Sequence, residues 1–176
     1  MTRIYALLIV FLSALFCLPE CHAAQPLPDS ETTVVRIVDA STLSKEKIFT
    51  GTKIWIAENF RSAKAVLEYE SKDDGILIGN GSMNFPTSGA MELAIKGDWL
   101  VQFTMRVDIK EEKFRLSFIN ITISTPAKAT SGGGVLPAYS GPVWNQADMQ
   151  KIKVKLEGFG DSILNSVTSS KAKIDF

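Results

Sequence analysis

The sequence is short of the residues that carry most polar chemistry. It has two cysteines and one histidine, and all three (Cys17, Cys21 and His22) lie within the first 22 residues. Those residues belong to "MTRIYALLIVFLSALFCLPECHAAQP", where a basic start at Arg3 leads into an apolar run from Ile4 to Leu18. Pro19 and small residues follow. This is the three-part layout of a secretory signal peptide, with cleavage expected after Ala23 or Ala24. A lipid anchor on Cys21 is the rival, but Glu20 stands where a lipoprotein signal carries a small residue. The apolar run falls short of the ~20 residues a bilayer-spanning helix needs, and no later stretch approaches that length. No membrane span is therefore expected in the mature chain, which is expected to be periplasmic or secreted.

With residues 1–23 removed, no Cys and no His remain. Zinc sites built on Cys and His, thiol nucleophiles and redox pairs are excluded. So are His-based triads and imidazole acid–base chemistry. Charge of one sign is lacking too. The 19 basic and 19 acidic residues lose Arg3 and Glu20 with the signal, leaving 18 of each. That balance gives no electrostatic reason to expect nucleic acid or an anionic membrane as partner. Nothing in the sequence implies a cofactor or metal.

About 150 remaining residues suffice for one core without disulfide staples. Residues 24–33 read as a flexible, Pro-rich leader, 34–170 as a single α+β domain, and 171–176 as a tail. A β-branched run predicts a strand over Val34–Val38. Ser44 is a favourable N-cap, and Ile48, Phe49, Thr52, Trp55, Ile56 and Phe60 recur at helical spacing, with Gly51 weakening but not breaking the helix. From Ala65 the period becomes two: Ala65, Leu67 and Tyr69 on one side, Glu68 and Glu70 on the other. "KDDG" is turn chemistry, and "ILIGNGSMNF" returns as a strand. Residues 86–97 read as a connection with a short extended piece at Met91–Ile95. "DWLVQFTMRVDI" alternates cleanly and pairs across "KEEK" with "FRLSFINITIS", whose apolar phase slips near Phe118, as at a bulge. A Gly/Pro-rich loop fills 125–144. A last helix starts near Asn145 and carries Met149, Ile152, Leu156, Phe159, Ile163 and Val167 on one stripe, with Gly158 and Gly160 placed to kink it. The fold class is thus α+β in two layers, an antiparallel sheet with two helices on one face, in the order β-α-β-β-β-β-α.

Residues 47–83, "KIFTGTKIWIAENFRSAKAVLEYESKDDGILIGNGSM", resemble a bacterial secreted family of unknown function described as having a TATA-binding-protein-like fold. The matching features are W-I-A-E-N-F in the helix, S-A-K after it, an acidic strand, an Asp/Gly turn and an I-x-G-x-G strand. The resemblance is tight over about residues 34–84 and loose through the hairpin 98–124 and the last helix. It implies a strand–helix–strands–helix fold and no activity. DNA binding does not follow from the name: TATA-binding proteins use basic and intercalating side chains on the concave sheet face, and here that face reads acidic and mixed.

Candidate sites are few. "SKDDGILIGNGS" could suggest a phosphate loop, but a strand follows its glycines where such a loop needs a helix N-terminus. Gly79 and Gly81 share one strand face and leave room for a bulge or a neighbouring aromatic ring. Asp73/Asp74 and Glu111/Glu112 sit in turns as solvated pairs. Glu68 and Glu70, roughly 7 Å apart on one strand face, have the spacing of a glycosidase pair. The open sheet face would carry Glu68, Glu70, Arg106, Asp108 and Arg115. In the 125–144 loop, Tyr139 and Trp144 are candidate aromatic anchors, with Gly132, Gly133 and Gly134 supplying mobility. The function expected is a non-catalytic binding or accessory module for an unknown protein or small-molecule partner, acting through the open sheet face or that loop. The alternatives are a carboxylate-based hydrolase and a carrier of a small apolar ligand held between helices and sheet.

Overall fold

The computed structural model describes residues 26–60, 66–130 and 132–169. The expected signal peptide with Cys21 and its expected cleavage sites, Ala65 and the expected 171–176 tail lie outside the described residues. The elements in chain order are α1 (Asp29–Thr32), β1 (Val34–Asp39), α2 (Lys45–Asn59), β2 (Val66–Ser71), β3 (Ile76–Asn84) and α3 (Ala90–Lys96). Then come β4 (Leu100–Lys110), β5 (Lys113–Thr125), β6 (Lys128–Ala129), β7 (Val135–Leu136), β8 (Tyr139–Pro142) and α4 (Gln146–Ser169). The antiparallel sheet has the order β1-β5-β4-β3-β2, and β8 pairs with β5 beyond the end of β1. The helices α2 and α4 pack against each other, α2 touching β4 and α4 touching β1. Among the described residues, no helix is long and apolar enough to cross a membrane.

The two long helices follow their apolar stripes. The Ser44 hydroxyl accepts from the Lys47 amide and caps α2, whose Ile48, Phe49, Thr52, Trp55 and Ile56 are buried. In α4 the Asn145 side chain accepts from the amides of Ala147 and Asp148, and Met149, Ile152, Leu156, Ile163 and Val167 are buried. Gly158 and Gly160 do not interrupt the helix: α4 is continuous from Gln146 to Ser169. At Gly51 and Gly160 the missing side chain permits close packing. A Cβ on Gly51 would stand 2.6 Å from Val167 of α4, and one on Gly160 would stand 2.8 Å from Val38 of β1.

Three segments differ from the sequence expectation. Within the leader, Asp29–Thr32 makes a helical turn, and the Leu27 amide donates to the Val143 carbonyl at 3.1 Å. Met91–Ile95, expected to be extended, lies in α3. Alternation of Met91, Leu93 and Ile95 with Glu92 imitates a strand, but the contacts that decide the segment are polar. Glu92 accepts from the Ser88 amide and hydroxyl and from Lys151 of α4, and Lys96 reaches Asp148 of α4 at 2.5 Å. The helix therefore docks by its charged side and leaves Met91, Leu93 and Ile95 exposed (80%, 58% and 55%). Finally, the expected 125–144 loop is partly paired. β6 and β7 form a two-stranded ribbon, and β8 covers the part of β5 that β1 leaves open. The physical reason is the unsatisfied backbone of a 13-residue strand whose neighbour is only six residues long.

The slip of phase near Phe118 is a bulge. Between the pairs Gln102↔Thr122 and Thr104↔Ile119, β5 carries one extra residue, and Asn120 adopts φ +54°. Phe114, Leu116 and Phe118 before it, and Ile121 and Ile123 after it, therefore all face the core. The glycine strip of β3 serves the aromatic role expected. Phe103 lies across Gly81, where a Cβ would meet its ring at 2.7 Å. That ring packs with Phe60, Phe118 and Phe159, centroids 5.4–6.4 Å away.

Two measurements check this packing. Gly81→Val should cost about 1–3 kcal/mol in urea unfolding, because the Phe103 ring is enclosed by other rings and cannot yield. The second concerns Glu92. Hydrogen bonds from Lys151 first, then from the Ser88 amide and hydroxyl, lower its pKa from 4.5 to about 2. A carboxyl so depressed contributes stability that is complete above pH 4.5 and is lost as pH falls towards 2. Thermal midpoints between about pH 2 and 7 should therefore fall more steeply on acidification for the wild type than for Glu92→Gln, and parallel curves would contradict the assignment.

Candidate functional site

The side of the sheet away from α2 and α4 is built by the alternate residues of five strands. Because β2 also contains a bulge, its alternation is broken. Leu67 stands opposite Gly79, Tyr69 opposite Ile78 and Glu70 opposite Leu77, leaving Glu68 as the extra residue. Glu68 and Tyr69 consequently join the open face. Glu70 turns to the helix side, where Lys53 of α2 holds it at 2.7 Å. The expected common face for Glu68 and Glu70 is therefore corrected, and the paired carboxylates that a glycosidase mechanism needs do not form. Leu67 and Tyr69, expected on one side, are likewise on opposite sides.

Two sets of polar side chains cross the open face. Near the β4–β5 turn Asp108 of β4 accepts from Arg106 Nε at 2.9 Å and from Arg115 Nη2 of β5 at 2.9 Å, the two arginines taking different carboxylate oxygens. Burial of the Asp108 carboxyl works to raise its pKa, but the hydrogen bonds and charges of Arg106 and Arg115 outweigh it and hold the group below its ordinary value. Asp108 in turn pushes Arg106 further up. Lys110 and Lys113 lie beside this cluster and, with Ile37, Phe114, Asp108 and Arg115, line a depression of about 220 Å³. With Glu70 on the other side, the described residues of the face are not acidic: Arg106, Lys110, Lys113 and Arg115 meet Asp108, Asp39 and Glu68.

The second set is uncharged except at one end. Asn80 donates to Glu68 at 2.5 Å, Thr104 donates to Asn80 at 2.8 Å, and Asn120 donates to Thr104 at 3.4 Å. The β5 bulge aims Asn120 into this row. Asn80, Ser82, Gln102, Thr104 and Asn120 border a second depression of about 230 Å³. Between and beside the polar groups the face exposes Val35, Ile37, Tyr69 and Ile119. Large exposed apolar residues on a sheet face otherwise crossed by satisfied polar rows were not apparent from the sequence. Val35 and Ile37 sit in a β-branched run broken only by Arg36, and only the register assigns them outward.

The other predicted anchors are held inside the fold. Tyr139 and Trp144 are half-buried, their rings edge to face at 4.4 Å, and the Tyr139 hydroxyl donates to the Pro142 carbonyl at 2.8 Å. Trp144 continues to Trp99 and Phe85, next to which Lys96 stands 5.0 Å from both ring centroids. These rings close one end of the domain and lie apart from Glu68 and Arg106. Of the predicted site residues, the open face brings together Glu68 and Arg106. Among the described residues, no group of three or more His, Cys, Asp or Glu could hold a metal ion.

Comparisons with known proteins agree on the architecture. The model of the domain of unknown function DUF4468, described as having a TBP-like fold, matches residues 35–124, just over half of the chain. A DUF4468 family protein from Bacteroides ovatus superposes with a TM-score of 0.50 at 16% identity, over 84% of this chain and 90% of that one. A TBP-like protein from Parabacteroides distasonis superposes with a TM-score of 0.59 at 8% identity, over 83% of this chain and 98% of that one. No curated protein sequence matches significantly.

Asp108 offers a direct probe of the arginine cluster. Asp108→Asn leaves two neighbouring arginines without their carboxylate and should destabilise the fold by about 1–3 kcal/mol at neutral pH. The difference should be complete above the ordinary aspartate value of 3.8 and vanish as pH falls through the depressed folded value. Urea unfolding of both proteins between about pH 2 and 7 measures it.

Proposed function

This chain belongs to the DUF4468 family with its TBP-like fold, and from that premise we propose that it is an exported, non-catalytic binding module whose open sheet face engages a partner. The observation that supports this most is the composition of that face. Exposed Val35, Ile37 and Ile119 surround an arginine pair held in fixed geometry by Asp108. Apolar and aromatic contacts next to arginine are the elements from which protein interfaces draw their energy. Arg106 and Arg115 arrive already oriented, so little rotamer freedom is lost on binding. Export rests on the N-terminal signal pattern. The separation of Glu68 from Glu70 removes the basis for the hydrolase alternative. A carrier holding its ligand between helices and sheet finds little support, since the space beside Gly79, Gly81, Phe60 and Phe103 amounts to about 10 Å³.

Cross-linking of the chain in its native cell envelope, followed by purification, tests the role of the face. A partner should be recovered with the wild type and lost with Ile37→Asp or Arg115→Glu, while Ile54→Asp on the helical side retains it. Loss with Ile54→Asp alone would overturn the assignment to the sheet face. Mass spectrometry of the exported protein should show a mature N-terminus at Ala24 or Gln25.

A further inference from the structure

The outer side of the helical layer has a groove that the sheet-face interaction does not use. It lies between the second half of α2 (Trp55, Asn59), the middle of α4 (Gln150 to Ser162) and the segment at Pro86 and Ser88, and encloses about 540 Å³. That is within the ~300–1,000 Å³ typical of small-molecule sites. Its apolar lining is exposed Val154 and half-buried Phe159, backed by Trp55, which is itself buried. The Trp55 indole donates to the Ser162 hydroxyl at 2.8 Å, which fixes the plane of the ring. Gly158 keeps the floor open: a Cβ there would have no heavy atom within 4 Å.

Charge on the lining is one-sided. Among the described residues, no carboxylate lines the groove. Lys151 is neutralised by both oxygens of Glu92, at 2.6 and 2.5 Å. Lys155 forms no ion pair among the described residues and supplies one uncompensated positive charge beside an apolar floor. Its flexible stem lets the ammonium stay in water while following a bound anion. The remaining polar lining, Asn59, Gln150 and Ser88, is uncharged.

We propose that this groove binds a small amphipathic carboxylate, its apolar body along Val154 and Phe159 over Gly158, and its anionic end against Lys155. Neither the sheet face nor its partner takes part, so the two sites stand or fall separately. Calorimetric titration of the full mature chain with dodecanoate, alongside dodecanol and dodecylammonium, tests it. Saturable binding of dodecanoate is expected, with both uncharged and cationic analogues weaker. Lys155→Glu should weaken dodecanoate by about tenfold or more, as loss of a charge-assisted contact does. Gly158→Leu should abolish binding by filling the floor, and since leucine is the better helix former, the variant stays folded. A retained thermal midpoint confirms that. No saturable binding, equal binding of dodecanol, or binding unaltered by both variants would overturn the proposal.

Discussion

The contact on which this fold turns is the Phe103 ring packed against the backbone of Gly81. A side chain at that position would occupy the space the ring needs, and the ring would be driven into the helices. With glycine there, Phe103 settles low on the sheet, and Phe60, Phe118 and Phe159 close over it in edge-to-face and tilted geometry. Phe60 caps the end of α2 and Phe159 belongs to α4, so one ring sets how both helices approach the sheet. Gly51 against Val167 and Gly160 against Val38 repeat the device where α2 meets α4 and where α4 meets β1. The helical layer is therefore close-set, and space for a ligand is found outside it.

A second constraint is the pair of bulges. Each inserts one residue into a strand, and each exchanges the faces of the residues beyond it. In β5 the bulge keeps Ile121 and Ile123 in the core after Phe118 and aims Asn120 into the polar row. In β2 it parts two glutamates that simple alternation would unite, giving one to the sheet face and one to Lys53. The chemistry open to the molecule changes accordingly. A carboxylate pair is dissolved, and the face is left with an arginine cluster and outward β-branched residues.

Much of the architecture was legible in the residues. The stripes of α2 and α4, the hairpin of β4 and β5, the Ser44 cap and the glycine strip are all short-range patterns with a single physical meaning. The segment of α3 was not. Its alternating Met91, Leu93 and Ile95 look like a half-buried strand, yet what holds it is Glu92 to Lys151 and Lys96 to Asp148, contacts more than 50 residues apart in sequence. Tyr139 and Trp144 were legible as aromatic residues in a glycine-rich stretch but not as parts of a folded cluster. Their partners Trp99 and Phe85 come from another part of the chain.

The sequence by itself determined the class of the fold and the confinement of cysteine and histidine to the first 22 residues. Composition and local periodicity suffice for these, because each depends on which residues are present and on neighbours within a turn or a strand. Only the tertiary structure decided which face each residue of β1 and β2 joins, that the 125–144 segment completes the sheet, and that Lys155 stands beside an apolar groove. Those outcomes depend on strand register, on an extra residue in a ladder and on pairing between distant segments. A side chain changes face when the register moves by one residue, and no local pattern records that step.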